Sequence, residues 1–201
     1  MTTMVVMASR NEHKIDEMRR ILDAAGLNLE LVGLKEFPDL PDVDETGSTF
    51  AANALLKARE ICAFTGLPAI ADDSGLCVDA LGGMPGIFSA RWAGTHGNDL
   101  ANLQLLLAQI SHVVPDRRTA SFRCAAAIVM PSGAEEVVEG IMAGRLIDTP
   151  RGTNGFGYDP IFIAEGYSIT TAEMDSASKD AISHRGRAIA ALAPTLAQLL
   201  S

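Results

Sequence analysis

The most constraining feature of this chain is a pair of adjacent carboxylates placed directly after a short apolar run. Residues 69–75 read Ala-Ile-Ala-Asp-Asp-Ser-Gly, which predicts a buried strand ending at Asp72 and Asp73 on a Ser-Gly turn. Adjacent acids repel each other, so a fold that places them at the end of a buried strand needs a compensating cation. Mg²⁺ suits paired oxygen ligands and usually arrives with substrate phosphates. The alternative is an Asp-rich turn that only closes a strand.

The composition bounds the class of protein. The chain has 201 residues, of which 48% are hydrophobic and 20% charged, so we predict one globular domain over residues 1–201 with two lobes that share a core. The net charge of −9 argues against a nucleic-acid polymer as partner but leaves room for a single nucleotide. Three scattered cysteines and the lack of a long apolar stretch lead us to expect a cytoplasmic protein without a membrane partner.

Hydrophobic periodicity and turn residues predict alternating strands and helices. The predicted strands are 4–8, 29–32, 69–71, 76–80, 119–130, 135–143 and 161–163, and the predicted helices are 15–25, 49–65, 99–110 and 183–200. This order predicts an α/β fold, with a mixed twisted sheet flanked by helices and the hairpin of 119–143 forming a second lobe. Ligands of such sheets bind beyond the carboxyl ends of strands, so we expect Ser9–Lys14 and Asp72–Gly75 to face one cleft.

Two helix beginnings carry basic residues that suit phosphate binding. Ser9, Arg10 and Asn11 follow the first strand, where free backbone N–H groups favour an anion, and Lys14 adds a charge one turn into the helix. A plain helix cap followed by a solvated lysine is the alternative. In the second helix Asn53 and Lys57 share a face, so Lys57 can reach a neighbouring site.

An acidic loop and a glycine-rich loop complete the candidate residues. Glu45, before the second helix, is a candidate metal ligand, although a solvated loop explains it equally well. Residues 152–160 read Gly-Thr-Asn-Gly-Phe-Gly-Tyr-Asp-Pro, in which Phe156 and Tyr158 are placed to stack on a base and Asp159 to accept from base N–H groups. The alternative is that these aromatic residues pack on their own core. His184 and Arg185 open the last helix and supply donors that pair with a purine carbonyl.

Taken together, these segments resemble the inosine triphosphate pyrophosphatase family, in the branch that acts on dITP and XTP. The resemblance extends from Val5 to about Leu192. The segments that carry it are 8–11 with Lys14, 45–50, 53–59, 71–76, 85–91, 155–160 and Lys179 with 183–186. One departure is Ser9-Arg10, where the family commonly has Thr followed by a small residue. Ser9 keeps the hydroxyl, and Arg10 either adds charge at the phosphates or points to solvent.

The resemblance implies a Mg²⁺-dependent enzyme that hydrolyses deaminated purine nucleoside triphosphates (ITP, dITP, XTP) to the monophosphate and pyrophosphate. It also implies a homodimer with a nucleotide cleft between two lobes. Carried onto this sequence, it makes Asp73 the general base and makes Glu45, Asp72 and Asp73 the metal site. The implied substrate contacts are Ser9, Arg10, Asn11, Lys14, Lys57, Ser74, Phe156, Gly157, Tyr158, Asp159, Lys179, His184 and Arg185.

Two other classes of function remain open. A pyrophosphatase of another nucleotide class, such as dTTP or a modified pyrimidine, shares the phosphate contacts but not the purine-reading donors. A non-catalytic nucleotide-binding module has no need of paired acids beside the phosphates. Mg²⁺-dependent release of pyrophosphate distinguishes the module from both enzymes, and the preferred base distinguishes the enzymes from each other.

Overall fold

The computed structural model describes residues 3–10, 12–41 and 43–200, apart from the side chain of His13. The helices and strands confirm the predicted α/β class. The strands are β1 (Thr3–Met7), β2 (Leu29–Val32), β3 (Ala69–Val78), β4 (Thr119–Val129), β5 (Glu135–Leu146) and β6 (Phe162–Ala164). The helices are α1 (Glu12–Ala24), α2 (Phe50–Thr65), α3 (Asp99–Gln109), α4 (Ser176–Ile182) and α5 (His184–Leu199). The sequence analysis did not predict α4, which is too short to show a helical period.

Helix α2 shows how local sequence sets the boundaries of an element. Thr49 caps its start, since the Thr49 side chain accepts a hydrogen bond from the backbone N–H of Ala52. Gly66 ends the helix in the left-handed conformation, with φ of 67°. Between them Ala54, Ala58 and Ile61 are buried on the apolar face of the helix.

The six strands form one mixed sheet in the order β2-β1-β3-β4-β5-β6. Strand β1 is parallel to both β2 and β3, and β5 is antiparallel to β6. In the register of β1 and β3, Met7 lies opposite Ile70, and the Ala8 N–H donates to the Ile70 carbonyl over 2.8 Å. The chain therefore leaves β1 beside the part of β3 that leads to Asp72.

Strand β3 corrects one prediction. The acid pair does not end a strand on a Ser-Gly turn, because β3 continues through Asp72, Asp73, Ser74 and Gly75 to Val78. Both carboxylates are almost completely buried, with 3% of Asp72 and 6% of Asp73 exposed. Two charges in the middle of a strand require partners on both faces of the sheet, and a periodicity argument does not reveal those partners.

Contacts divide the chain into two compact units. Unit 1 comprises Met1–Asp73, Cys124–Gly140 and Arg185–Ser201, and unit 2 comprises Ser74–Arg123 and Ile141–His184. The tip of the hairpin between β4 and β5 lies in unit 1, so the hairpin is not a second lobe as a whole. Its buried residues Ala125, Ala127 and Val129 pack in the same core as α2, which explains this placement.

Unit 1 has a separate apolar core on each face of its strands. Val5 and Ile70 pack with residues of α1 and α5, whereas Val6 and Ala71 pack with residues of α2. Alternation along β3 therefore directs Asp72 to the face of α1 and α5, and Asp73 to the face of α2.

Unit 2 has one core, built from residues of β3, β4, β5, β6 and α3. Phe122 and Phe162 meet there edge to face, with ring centroids 4.7 Å apart. In the described part of the chain, no helix combines the length and the apolar character that crossing a membrane requires.

Candidate active site

Asp72 lies in a buried ion cluster formed by α1 and α5. The guanidinium of Arg185, at the start of α5, donates from Nε to Asp72 Oδ2 over 3.1 Å. Lys14, one turn into α1, places its Nζ 3.4 Å from the same oxygen. Arg185 also donates to the carboxylate of Glu17, which is itself buried. Asp72 and Glu17 thus share one guanidinium that is only 2% exposed.

The cluster settles the charge state of Asp72. Burial disfavours the charged carboxylate, but Lys14 and Arg185 outweigh it and hold the pKa of Asp72 well below its usual range. Burial likewise opposes the charge of Arg185, and the carboxylates of Asp72 and Glu17 nevertheless raise its pKa. The charge of the Asp72 carboxylate is therefore stabilised by cations from two helices.

Asp73 lies in a second group, formed by α2 and the acidic loop before it. The Asn53 side chain donates from Nδ2 to Asp73 Oδ2 over 3.0 Å. Lys57, one turn further along α2, lies 3.6 Å from Asp73 Oδ1 and 2.8 Å from Glu45 Oε1. The carboxylates of Glu45 and Asp73 thus both contact the ammonium group of Lys57.

Burial and a neighbouring carboxylate alter proton binding at Asp73. Burial raises the pKa of Asp73, Lys57 partly offsets this, and the neighbouring carboxylate of Glu45 adds to the increase. For Lys57 burial works against the charge, but Asp73, Asp72 and Glu45 together raise its pKa. Asp73 is therefore more basic than an ordinary aspartate, which is the property a general base requires.

The three expected metal ligands do not form a single group. Within residues 3–10, 12–41 and 43–200, no three His, Cys, Asp or Glu side chains come together in a way that could hold a metal ion. Glu45 and Asp73 meet at Lys57, whereas Asp72 contacts Lys14 and Arg185. The pair of Glu45 and Asp73 suits Mg²⁺, which commonly binds one or two carboxylates and completes its shell with water and substrate phosphates.

The acidic loop contacts two different parts of unit 1. Asp44 and Thr46 line a cavity of about 330 Å³ with apolar residues of α2, including Phe64. Glu45, between them, contacts Lys57 instead. The loop therefore directs one carboxylate toward Asp73.

The other predicted phosphate contacts lie at separate positions in the structure. Ser9 follows β1, and its carbonyl accepts from the Leu34 N–H over 3.1 Å. Arg10 donates from a terminal nitrogen to the Leu40 carbonyl over 2.6 Å, which gives it a structural contact. Asn11 lies outside the described residues. Ser74 belongs to unit 2 and is half-buried on β3, directly after Asp73.

Asp159 organises the glycine-rich loop of unit 2. Its Oδ2 accepts from the backbone N–H of Phe156 over 2.9 Å and from Lys179 Nζ over 2.5 Å. Its Oδ1 accepts from the hydroxyl of Thr171 over 2.8 Å. Gly155 makes room for this arrangement, since a Cβ there would collide with the Asp159 carboxylate. These contacts favour a role for Asp159 in shaping the loop and orienting Lys179.

The two aromatic residues of the loop behave differently. Phe156 is 42% exposed, with Lys179 Nζ 5.2 Å from the centroid of its ring, so the ring is available to a flat ligand. Tyr158 is 4% exposed, packs in the core of unit 2 and donates its hydroxyl to the Ser89 carbonyl over 2.9 Å. The buried ring and the bound hydroxyl favour the alternative for Tyr158, in which the ring packs on its own core.

The last two predicted base contacts fall in different groups. His184 stacks on Phe122 in unit 2, with ring centroids 5.0 Å apart and an angle of 15° between the planes. Arg185 belongs to unit 1, where it contacts Asp72 and Glu17. Its geometry favours the positioning of Asp72 over contact with a base. Gly157 donates its N–H to Asp99 over 2.9 Å, which fixes the loop rather than a ligand.

Sequence reasoning missed Glu17. It lies three residues after Lys14, between the buried residues Ile15 and Met18, where a charged side chain is unexpected. An acid on the apolar face of a helix signals a buried cationic partner, and that signal was present in the sequence. Which cation it meets depends on the packing of α5 against α1, which no local pattern encodes.

The chain is similar to known proteins over almost its entire length. The chain is 58% identical to the dITP/XTP pyrophosphatase of Streptomyces avermitilis, over 98% of this chain and 99% of that protein. Among solved structures it is similar to the nucleoside-triphosphatase (dITP/XTP pyrophosphatase) of Mycobacterium abscessus, with 52% identity, a TM-score of 0.78 and coverage of 96% of this chain and 100% of the other. A HAM1 protein from Coxiella burnetii superposes with a TM-score of 0.88 at 41% identity, covering 98% of this chain and 100% of that one. The sequence model of the Ham1 family matches residues 5–195, and the chain therefore belongs to the Ham1 family.

Proposed function

We propose that this chain hydrolyses the triphosphates of deaminated purine nucleosides (ITP, dITP and XTP) to the monophosphate and pyrophosphate. The relatives named above as dITP/XTP pyrophosphatases, which align with almost the entire chain, support this reaction. The observation in this structure that carries it is the buried carboxylate of Asp73, which contacts Lys57 together with Glu45. A carboxylate in such a position is suited to accept a proton from an attacking water.

The donor set fits a magnesium ion that arrives with the substrate. Glu45 and Asp73 supply hard oxygen ligands, and both contact the ammonium group of Lys57. Asp72 stands apart from this pair because of its contacts to Arg185 and Lys14, so we assign the metal to Glu45 and Asp73. When bound, Mg²⁺ polarises the phosphate oxygens and lowers the pKa of coordinated water.

The protein residues perform the rest of the chemistry. A water molecule attacks the α-phosphorus, its proton passes to Asp73, and the bond from phosphorus to the β-phosphate oxygen breaks. Lys57 neutralises charge near the reacting phosphate, and Lys14 does so from α1. Asp72, fixed by Arg185, keeps Lys14 in place. Ser9, Asn11 and Ser74 are proposed as further phosphate contacts.

The base is proposed to bind in unit 2. Phe156 supplies an exposed ring for stacking, and Lys179 supplies a donor beside it. A 6-oxo purine accepts hydrogen bonds at O6, whereas adenine presents an amino group there, so Lys179 and His184 favour the deaminated base. An unpaired buried donor costs roughly 1–3 kcal/mol, which corresponds to about 10- to 100-fold discrimination for each contact.

The deciding experiment measures pyrophosphate release from ITP, XTP, ATP, GTP and dTTP, each with Mg²⁺ and with EDTA. Release that requires Mg²⁺ and is fastest with ITP or XTP is the expected result. Preference for dTTP would contradict the base assignment and leave the metal site standing. Binding of ITP without release of pyrophosphate would overturn the enzymatic proposal.

We also propose that the protein is a cytoplasmic homodimer. All three cysteines are free and buried, which suits a reducing compartment. Light scattering after size-exclusion chromatography tests the assembly, with twice the mass of 21.2 kDa expected.

A further inference from the structure

We infer that Asn53 is a positioning residue that orients Asp73 for catalysis and anchors the loop that carries Glu45. The inference rests on the proposed function, since it assigns Asn53 a part in the same reaction. It concerns how other residues of the chain orient the carboxylate of Asp73, the proposed general base.

The side chain of Asn53 is completely buried and both ends of its amide are used. Nδ2 donates to Asp73 Oδ2 over 3.0 Å, and Oδ1 accepts from the backbone N–H of Gly47 over 2.7 Å. One amide therefore connects the candidate base with the acidic loop. A carboxylate of the same shape keeps the acceptor and loses the donor, so aspartate cannot replace both contacts.

The chain is built to bring Gly47 close to this amide. A Cβ at Gly47 would lie 2.6 Å from Asn53 Oδ1 and 2.9 Å from Ala52 Cβ, which is closer than side chains approach. Gly47 follows Glu45 by two residues, so the hydrogen bond to Asn53 fixes the end of the segment that carries the second carboxylate.

Asn53 and Lys57 make the same connection from two successive turns of α2. Lys57 contacts Glu45 and Asp73 through its charge, and Asn53 contacts Gly47 and Asp73 through hydrogen bonds. Because Asn53 holds Oδ2 of Asp73, it determines the plane of the carboxylate and leaves Oδ1 toward Lys57. A base in the wrong orientation affects the reaction step more than binding, and a displacement of about 1 Å costs on the order of 100-fold.

The test compares Asn53→Asp with Asn102→Asp. Asn102 is a matched control, since it is 1% exposed and bridges in the same way on α3, accepting from the Ala93 N–H over 2.7 Å and donating to the Ala90 carbonyl over 3.1 Å. Its partners are backbone groups only, so it reports the cost of placing a carboxylate in a buried amide site. The measurements are kcat and KM for ITP with Mg²⁺, the melting temperature, and calorimetric binding of an α,β-imido analogue of ITP.

We expect Asn53→Asp to lower kcat by about 10-fold or more while the Kd of the analogue changes by less than about threefold. Asn102→Asp should lower the melting temperature and keep kcat within about twofold of the wild type, because it touches no reacting group. Gly47→Ala adds no charge, and its methyl group displaces the Asn53 amide, so a loss of kcat in the same direction is expected.

Three results would overturn the inference: an unchanged kcat in Asn53→Asp, a loss of analogue binding equal to the loss of kcat, or an equal loss of kcat in Asn102→Asp. If Asn53→Asp does not fold, Gly47→Ala is the variant that tests the inference. An unchanged kcat in Gly47→Ala would then overturn it. Failure of the proposed function looks different, because the wild-type protein would then release no pyrophosphate from ITP.

Discussion

Asp72 and Asp73 are adjacent on one strand and both are almost completely buried, but their pKa values are shifted in opposite directions. On the face of α1 and α5, Asp72 meets the cations of Lys14 and Arg185, which hold its pKa low. On the face of α2, Asp73 shares one ammonium group with Glu45, and burial raises its pKa. The difference teaches that the partners on each face of the sheet decide what a buried carboxylate can do. A carboxylate bound by a buried guanidinium is a structural anion, and a carboxylate whose pKa burial raises is suited to act as a base.

The largest effect is expected from Asp73→Asn, which removes the proposed base and keeps the shape of the side chain. We expect kcat for ITP to fall by about 10²- to 10⁴-fold, the usual contribution of a general base. The protein should remain folded, because the substitution removes a charge that burial disfavours. Steady-state kinetics and a thermal melt measure both effects. Turnover at the wild-type rate would show that Asp73 and Asp72 do not differ in the way proposed.

Next in size is Arg185→Met, which leaves Asp72 and Glu17 buried without their shared guanidinium. Breaking a buried ion pair from one side typically costs about 3–5 kcal/mol of unfolding free energy. Urea denaturation of the variant and the wild type at neutral pH measures the loss. The double variant Glu17→Gln with Arg185→Met serves as the control, and it should recover part of the loss because one uncompensated charge is gone. A loss in Arg185→Met below about 1 kcal/mol would contradict a structural role for this cluster.

The dependence of the unfolding free energy on pH tests the same comparison. Asp72 and Asp73 contribute to this dependence with opposite signs. The pKa of Asp72 is lowered by folding, so its stabilisation is present at neutral pH and disappears as the pH falls below about 4. The pKa of Asp73 is raised, so its effect has the other sign, and stability is lost as the pH rises through its folded pKa. Unfolding free energies between about pH 3 and pH 7 should therefore fall less steeply in acid for Asp72→Asn than for the wild type. Parallel curves for the two proteins would argue against this assignment.

The smallest effect is expected from an ion pair outside both faces. Arg59 donates two hydrogen bonds to Glu135, but the Arg59 side chain is 55% exposed. Solvent and salt screen such pairs, so Arg59→Ala should change the melting temperature less than any variant above. Differential scanning calorimetry at low and high salt measures it. If Arg59→Ala lowered the melting temperature as much as Arg185→Met, burial would not explain why one ion pair contributes more to stability than the other.

Most of the fold was predictable because it follows from local patterns. The apolar spacing of α2, with Thr49 before it and Gly66 after it, marks a helix whose ends agree with the structure. The α/β order and the position of most strands follow in the same way. The prediction that β3 ends at the acid pair was wrong for a physical reason. Charged residues usually end a strand, and only partners distant in sequence allow β3 to continue through Asp72 and Asp73.

The candidate site was predictable to a lesser degree. Phe156 and Tyr158 are two residues apart in the same glycine-rich loop, yet one ring is exposed and the other is buried in the core of unit 2. Both are aromatic, and their positions in the sequence do not reveal which ring is buried. The orientation of the loop, set by Asp159 and by the hydroxyl contact to Ser89, makes the distinction.

The sequence by itself determined the family, the classes of secondary structure and the residue types that make phosphate chemistry possible, because these depend on neighbours along the chain. The tertiary structure alone decided which side chains contact each of these carboxylates. Arg185 reaches Asp72 across 113 residues and Glu17 across 168, and Asn53 reaches Asp73 across 20. Electrostatic energy depends on distance in space and on burial, and both exist only once the helices have packed against the two faces of β3.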